Sequence, residues 1–369
     1  MKSTHRQLPM DLLRGTIMIF MALDHANGLI AQKHSSGEFW GGPFPQYSEG
    51  LSFLTRFVTH FSAPGFFFLM GAGMLLFSES RKRQGWPRAK ISMHFLLRGS
   101  LLILMQFALE NRAWALQPGW PPFPYYGVLF ALGAAMILAS LTLSLSPKWV
   151  LVTAAAFFIA TEAAVPAVEL FSVYDHTPTL VNFLLLPTYR GMVFYPILPW
   201  LELALFGIVF GHWINQDAQQ GYTRGAKTGL AFLAAFVLIL AFNGFGNIRP
   251  RAGSSWIDFL NVVKYPPSWA FTLLTTGVNL LVLAGFSKMK PALQRLAGPA
   301  AVFGRAPLFF YIAHLYLYAW MGLKFFPSGT SLVEMYPYWL LGLLVLYFPT
   351  RWFGNFKQRQ PAGSFLKFL

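Results

Sequence analysis

The chain alternates between long apolar runs and short polar breaks. Runs of about 20 residues match the hydrocarbon thickness of a bilayer at the rise of an α-helix. Ten such runs can be placed, at 10–31, 53–77, 91–110, 125–145, 149–168, 194–214, 227–245, 268–287, 299–324 and 336–354. This pattern predicts an all-α fold, a polytopic transmembrane helix bundle of about ten spans. The stretch 179–190 is too short to cross and reads as a re-entrant or interfacial segment. No polar linker divides the pattern, so residues 1–369 are expected to form a single domain. No internal repeat is visible, which weighs against the inverted-repeat plan of many transporters.

Composition supports this picture. The chain is 55% hydrophobic and only 11% charged, against about 25% charged residues in soluble domains. The cations sit mainly in alternate breaks: Arg81, Lys82, Arg83, Arg88 and Lys90, then Lys148, then Arg224 and Lys227, then Lys288, Lys290 and Arg295. Lys2 and Arg6 before the first run, and Arg351, Lys357, Arg359 and Lys367 after the last, fall on the same side. The opposite side is sparser in cations, with Lys33, Arg112, Arg190, Arg249, Arg251, Lys264 and Lys324. Both termini are therefore expected to be cytoplasmic. The net charge of +15 follows from this topology, so no nucleic-acid partner is expected.

There is no cysteine, which excludes a disulfide, a thiolate metal site and a cysteine nucleophile. The first run lacks a small-residue cleavage site and reads as a retained helix. The breaks on the cation-poor side are rich in aromatics and proline, as in Phe39–Pro45 and Pro118–Tyr126. An interfacial aromatic belt accounts for them; a rigid rim for a carbohydrate or lipid head group is the functional alternative.

Ionisable groups inside apolar runs carry the chemistry. Each costs roughly 2.5–3.5 kcal/mol on the insertion scale, so each needs a reason. Counting residues along the runs puts Asp24, His25, His60, His314, Glu162 and Glu202 in one layer of the outer half. A second layer, near the cytoplasmic side, holds Arg14, Arg98 and Arg305, each about four to seven residues inside its run by the same count. Three guanidiniums at one depth suit a polyanion such as a phosphate group; snorkelling or pairing with Asp11 is the plainer alternative. The adjacent Asp24 and His25 are the candidate catalytic residues, because imidazole suits proton abstraction from an amine or hydroxyl. A lone intramembrane histidine can instead bond a neighbouring helix. No HExxH or His/carboxylate pair at helical spacing appears, so no metal is expected.

Asp11-Leu12-Leu13-Arg14-Gly15 followed by Met21-Ala22-Leu23-Asp24-His25 resembles the opening of the DUF1624 family. These proteins are prokaryotic relatives of the heparan-α-glucosaminide N-acetyltransferase catalytic domain. Similar segments follow in order: Arg56–Pro64, Phe66–Gly71, Phe194–Trp200, Lys264–Ser268, and Phe303–Tyr311 ending at His314.

The resemblance implies a transmembrane acyltransferase that moves an acetyl group from cytosolic acetyl-CoA to an amine or hydroxyl on the far side. The lysosomal branch of the family acetylates a terminal glucosamine. Arg14, Arg98 and Arg305 would then hold the CoA phosphates. His25, assisted by Asp24, would deprotonate the acceptor. His60, Lys264, His314 and His34 would bind the acceptor, with His60 or Lys264 alternatively steadying the oxyanion. The lysosomal enzymes carry Asn near the position of His25 and a catalytic histidine in the loop that follows, so His34 competes with His25 for the role of base. The expected partners are the lipid bilayer and a sugar, envelope glycan or glycolipid acceptor, in a bacterial inner membrane. A homo-oligomer is left open. The alternative function is a transporter or flippase for an anionic or glycolipid substrate.

Overall fold

The structure, a computed structural model, describes residues 7–34, 38, 44–47, 49–117, 124–165, 179–188, 193–361 and 364–368. Parts of both aromatic-rich breaks, and Arg190, lie outside them. The described residues form helices joined by short turns, with isolated bridges at Tyr126–Val193 and Thr188–Val193 as the β pairing among them.

The first half of the chain contributes α1 (Leu8–Ala26), α2 (Gly50–Phe57), α3 (Ser62–Arg83), α4 (Arg88–Met105), α5 (Asn111–Trp114), α6 (Val128–Thr142) and α7 (Pro147–Ala164). Next come α8 (Thr179–Leu184), α9 (Ile197–Gln216), α10 (Ala218–Phe242), α11 (Trp256–Leu260) and α12 (Trp269–Ser287). The last are α13 (Pro291–Leu296), α14 (Gly298–Arg305), α15 (Pro307–Phe325) and α16 (Leu332–Arg359).

Every predicted run contains a helix. Among the described residues, seven helical stretches are long and apolar enough to cross a bilayer unaided, and α14 with α15 makes eight if the bent pair is one span. The chain is thus an integral membrane protein built as an all-α polytopic bundle. Helix α1 is nineteen residues long but carries Asp11, Arg14 and Asp24. Helix α6 has fifteen residues. The segment read as too short to cross holds only the short α8 in its described part.

Lipid drives no hydrophobic association between helices, so close packing relies on small residues. A Cβ on Gly207 of α9 would lie 2.0 Å from the Phe68 carbonyl oxygen of α3, and one on Gly71 would lie 1.8 Å from the Ala204 carbonyl oxygen. These two helices therefore touch backbone to backbone. Helices α4 and α6 do the same at Gly99 and Gly133, and α1 meets α14 at Gly15 and Gly304.

Two departures from regular helix shape the interior. Helix α1 continues into a π-turn, Asn27–Ala31, and α4 passes through another, Gln106–Glu110, before α5. The first turn ends at Gln32 in the left-handed region, with φ 55°. The chain then doubles back, with the Lys33 N–H donating to the Asn27 carbonyl.

The second departure corrects the placement of Arg305, which the residue count put about one and a half turns inside a straight span. Pro307 lacks an amide hydrogen and disfavours the helical conformation at the residue before it. Ala306 accordingly leaves the helix at φ −132°, ψ 57°, and α14 meets α15 at 94°. Arg305 stands exposed at this elbow rather than buried in a span.

Candidate functional site

The end of α1 assembles an ion-pair network with the loop that follows it and with α2. Arg56 is 1% exposed and binds two carboxylates. Its Nη1 donates to Asp24 Oδ1, while its Nε donates to Glu38 Oε1 at 2.8 Å and its Nη2 to Glu38 Oε2. This fork is the bidentate geometry that guanidinium and carboxylate favour. Thr59 Oγ1 lies 2.8 Å from Asp24 Oδ1, and His60 Nε2 lies 2.8 Å from Glu38 Oε1. The Glu38 carbonyl is pinned in turn by the amides of Lys264 and Tyr265. Burial pushes the Glu38 carboxyl up, but the Arg56 guanidinium, helped by His60, outweighs it. Glu38 is held well below the usual carboxylate range.

Asp24 also reaches outward. His34 Nε2 lies 3.3 Å from Asp24 Oδ2, and the His34 side chain is 30% exposed. The doubled-back chain after the π-turn makes this contact, bringing His34 against Gly28.

His25 points elsewhere, because consecutive helical residues diverge by about 100°. The hydrogen bonds of Asp24 go to Arg56, Thr59 and His34, not to His25, so Asp24 acts on His25 through its charge and not through a hydrogen bond. The partner of His25 is His314. The rings stack with centroids 4.9 Å apart, and His25 Nδ1 lies 2.7 Å from His314 Nε2.

The tautomers follow from donor and acceptor logic. A carbonyl only accepts, so the Phe310 carbonyl, 2.8 Å from His314 Nδ1, requires the proton there. Neutral His314 then presents Nε2 as an acceptor, and His25 Nδ1–H must donate to it. The Nε2 lone pair of His25 is left for a third party. Trp114 and Tyr311 flank the His25 ring edge-on, at 5.3 and 6.1 Å. The buried Glu110 carboxyl faces both of those side chains.

Beyond Tyr311 a cavity of about 370 Å³ is lined by α1 residues Arg14 and Met18. Arg14, Arg98, Arg305 and Lys357 line it together with Met18, Met70, Met74, Leu132 and Met136. It runs along α3 from Phe77 to Phe66, a helical distance of roughly 16 Å. Tyr311 also lines it, so one ring is shared between the cavity wall and the surroundings of His25. Phe368 closes part of the wall and stacks on His94.

The residue count put Asp24, His25, His60 and His314 in one layer, the resemblance added His34 and Lys264, and the structure brings these groups together. Asp24, His25, His34, His60, His314 and Lys264 share one neighbourhood, and Arg14, Arg98 and Arg305 share one cavity. Lys264 is buried, with its ammonium 5.0 Å from the centre of the Tyr265 ring. Arg14 also touches Asp11 and the Gly304 carbonyl, each at 3.2 Å. Two members of the outer layer stand apart. Glu162 accepts from the amides of Ile248 and Trp269, tying a loop to the start of α12. Glu202 is bonded by Thr272.

Sequence reasoning missed Glu38 and Glu110, read Arg56 and Tyr311 only as parts of motifs, and read Lys357 only as a cation that sets topology. Glu38 lies in a polar break where a carboxylate carries no signal. Arg56 and Glu110 did stand inside or beside apolar runs, where a charge asks for a partner. Among the described residues, no group of three or more His, Asp or Glu is arranged to hold a metal.

The family model described as heparan-alpha-glucosaminide N-acetyltransferase, catalytic, matches residues 6–242 of this chain. No curated protein matches it.

Proposed function

Because the chain belongs to the heparan-alpha-glucosaminide N-acetyltransferase catalytic family, we propose that it moves an acetyl group from acetyl-CoA to an amine or hydroxyl of a sugar, glycan or glycolipid. The donor enters from the cytoplasm and the acceptor from the far side of a bacterial inner membrane. The observation that carries this reading is the cavity with four cations at one end and the His25 surroundings at the other. Guanidiniums suit the CoA diphosphate, and a methionine- and leucine-lined bore suits a pantetheine arm.

In this reading the thioester lies beside Tyr311 and His25. The acceptor nitrogen or oxygen attacks the thioester carbon, and its proton passes to His25 Nε2. The carbonyl electron pair moves to oxygen as the new bond to carbon forms, then returns as the C–S bond breaks and its electron pair leaves on the CoA sulfur. His314 is a positioning residue that fixes the tautomer of His25, in the way a triad's third member does. The buried Lys264 ammonium supplies positive charge for the oxyanion.

One observation favours a second assignment within the same activity. Asp24 and His34 form an acid–imidazole pair on the accessible side, and His34 could take the acceptor proton instead. Acetyl transfer by purified protein in proteoliposomes distinguishes the two. His25→Ala is expected to lose about a hundredfold or more in turnover, the usual worth of a general base, with donor binding retained. Loss confined to His34→Ala would move the base to His34. Full turnover in both variants would remove the histidine mechanism. Accumulation of the acceptor inside vesicles without acetylation would favour transport.

A further inference from the structure

A second, smaller cavity adjoins the first. It has a volume of about 140 Å³ and lies between α14 and α16, lined by Val302, Arg305, Thr350, Arg351, Gly354 and Asn355. Arg305 belongs to both cavities. Along α16, Thr350 and Gly354 share one stripe of the helix surface, and Arg351 and Asn355 the next. Gly354 leaves open the space that a longer side chain would fill, since a Cβ there meets only Ala306, at 3.9 Å.

Thr350 is the informative residue. It is 0% exposed, and its hydroxyl has no hydrogen-bond partner among the described residues. A helical threonine ordinarily bonds the carbonyl one turn back. A buried hydroxyl left without a partner costs stability unless something else satisfies it. Two guanidiniums, an amide and this hydroxyl line one small space. They match a phosphate group, whose oxygens accept from several donors at once.

We propose that this cavity is a second anion subsite, for a phosphate monoester, and that it takes the 3′-phosphate of coenzyme A. The CoA diphosphate lies across Arg14 and Arg98 in the larger cavity, and Arg305 bridges the two groups. This assignment rests on the donor reading above. A phosphate monoester could also arrive as the head group of phosphatidic acid, so the test separates these sources.

Equilibrium binding of coenzyme A and of 3′-dephospho-coenzyme A is measured on delipidated protein in detergent. The wild type is expected to bind coenzyme A about tenfold more tightly or better, as hydrogen bonds to a charged group imply. Arg351→Gln and Thr350→Val should each lower coenzyme A affinity toward that of the dephospho compound, and leave the dephospho compound's affinity unchanged. Arg351 is exposed and Thr350→Val is nearly isosteric, so the second variant guards against misfolding of the first. Equal wild-type affinity for the two ligands would overturn the subsite while leaving the donor reading in place. No binding of either would remove the donor reading itself. Retention of phosphatidic acid that Arg351→Gln abolishes, with no preference for coenzyme A, would reassign the cavity to a lipid.

Discussion

At the scale of single residues, the site turns on charges that neutralise one another inside the bundle. Removing one member of such a buried set typically costs ~3–5 kcal/mol, because the partners stay buried without compensation. Glu38 offers a readable case. Its carboxyl is held below the ordinary range, so it contributes stability above the unfolded value and loses that contribution as pH falls toward the folded one. Thermal melts of the wild type and Glu38→Gln should therefore differ most at neutral pH. The gap should narrow once pH drops below the ordinary carboxylate value of about 4.3. A gap independent of pH would mean that Glu38 acts through shape rather than charge. Asp24 and His25 were legible in the sequence, because ionisable side chains in an apolar run stand out. Their partners were not. Nothing local says that Asp24 turns to Arg56 and His34 while His25 turns to a histidine 289 positions away.

At the scale of helices, hydrophobic length made the spans legible, and proline and glycine decided what length could not. The broken span before α15 follows from Pro307, whose effect on its neighbour is visible in sequence only once the helix is known to pass through it. The π-turns after Ala26 and Met105 leave no such mark, since they arise where the bundle asks for an extra residue beside the site. The α3–α9 contact gives the sharpest test. Gly207→Leu should separate the helices and lower the melting temperature, at a cost of about 1–3 kcal/mol or more, because the Phe68 carbonyl cannot yield as a side chain would. An unchanged melting temperature would show that the two helices can part freely.

At the scale of the whole molecule, the site draws on both ends of the chain. The family match ends at residue 242, while Lys264, Arg305, His314 and Lys357 lie beyond it. A fragment cut at that limit would keep Arg14 and His25 and lose their counterparts. The larger cavity can be probed as a unit through Gly73, which lines it and whose Cβ position has nothing within 4 Å. Gly73→Phe should fill the bore and abolish coenzyme A binding, with a melting temperature close to that of the wild type. Binding that survives would place the donor elsewhere. Helix α1 carries a cation near one end and the paired imidazole near the other on a single unbroken rod. The eleven steps from Arg14 to His25 amount to roughly 16 Å at the helical rise. On the proposed donor reading, that interval would act as a gauge. A carrier whose activated group sits too close to its phosphates would stop short of the imidazole, so the enzyme would choose among acyl donors by the length of their tether.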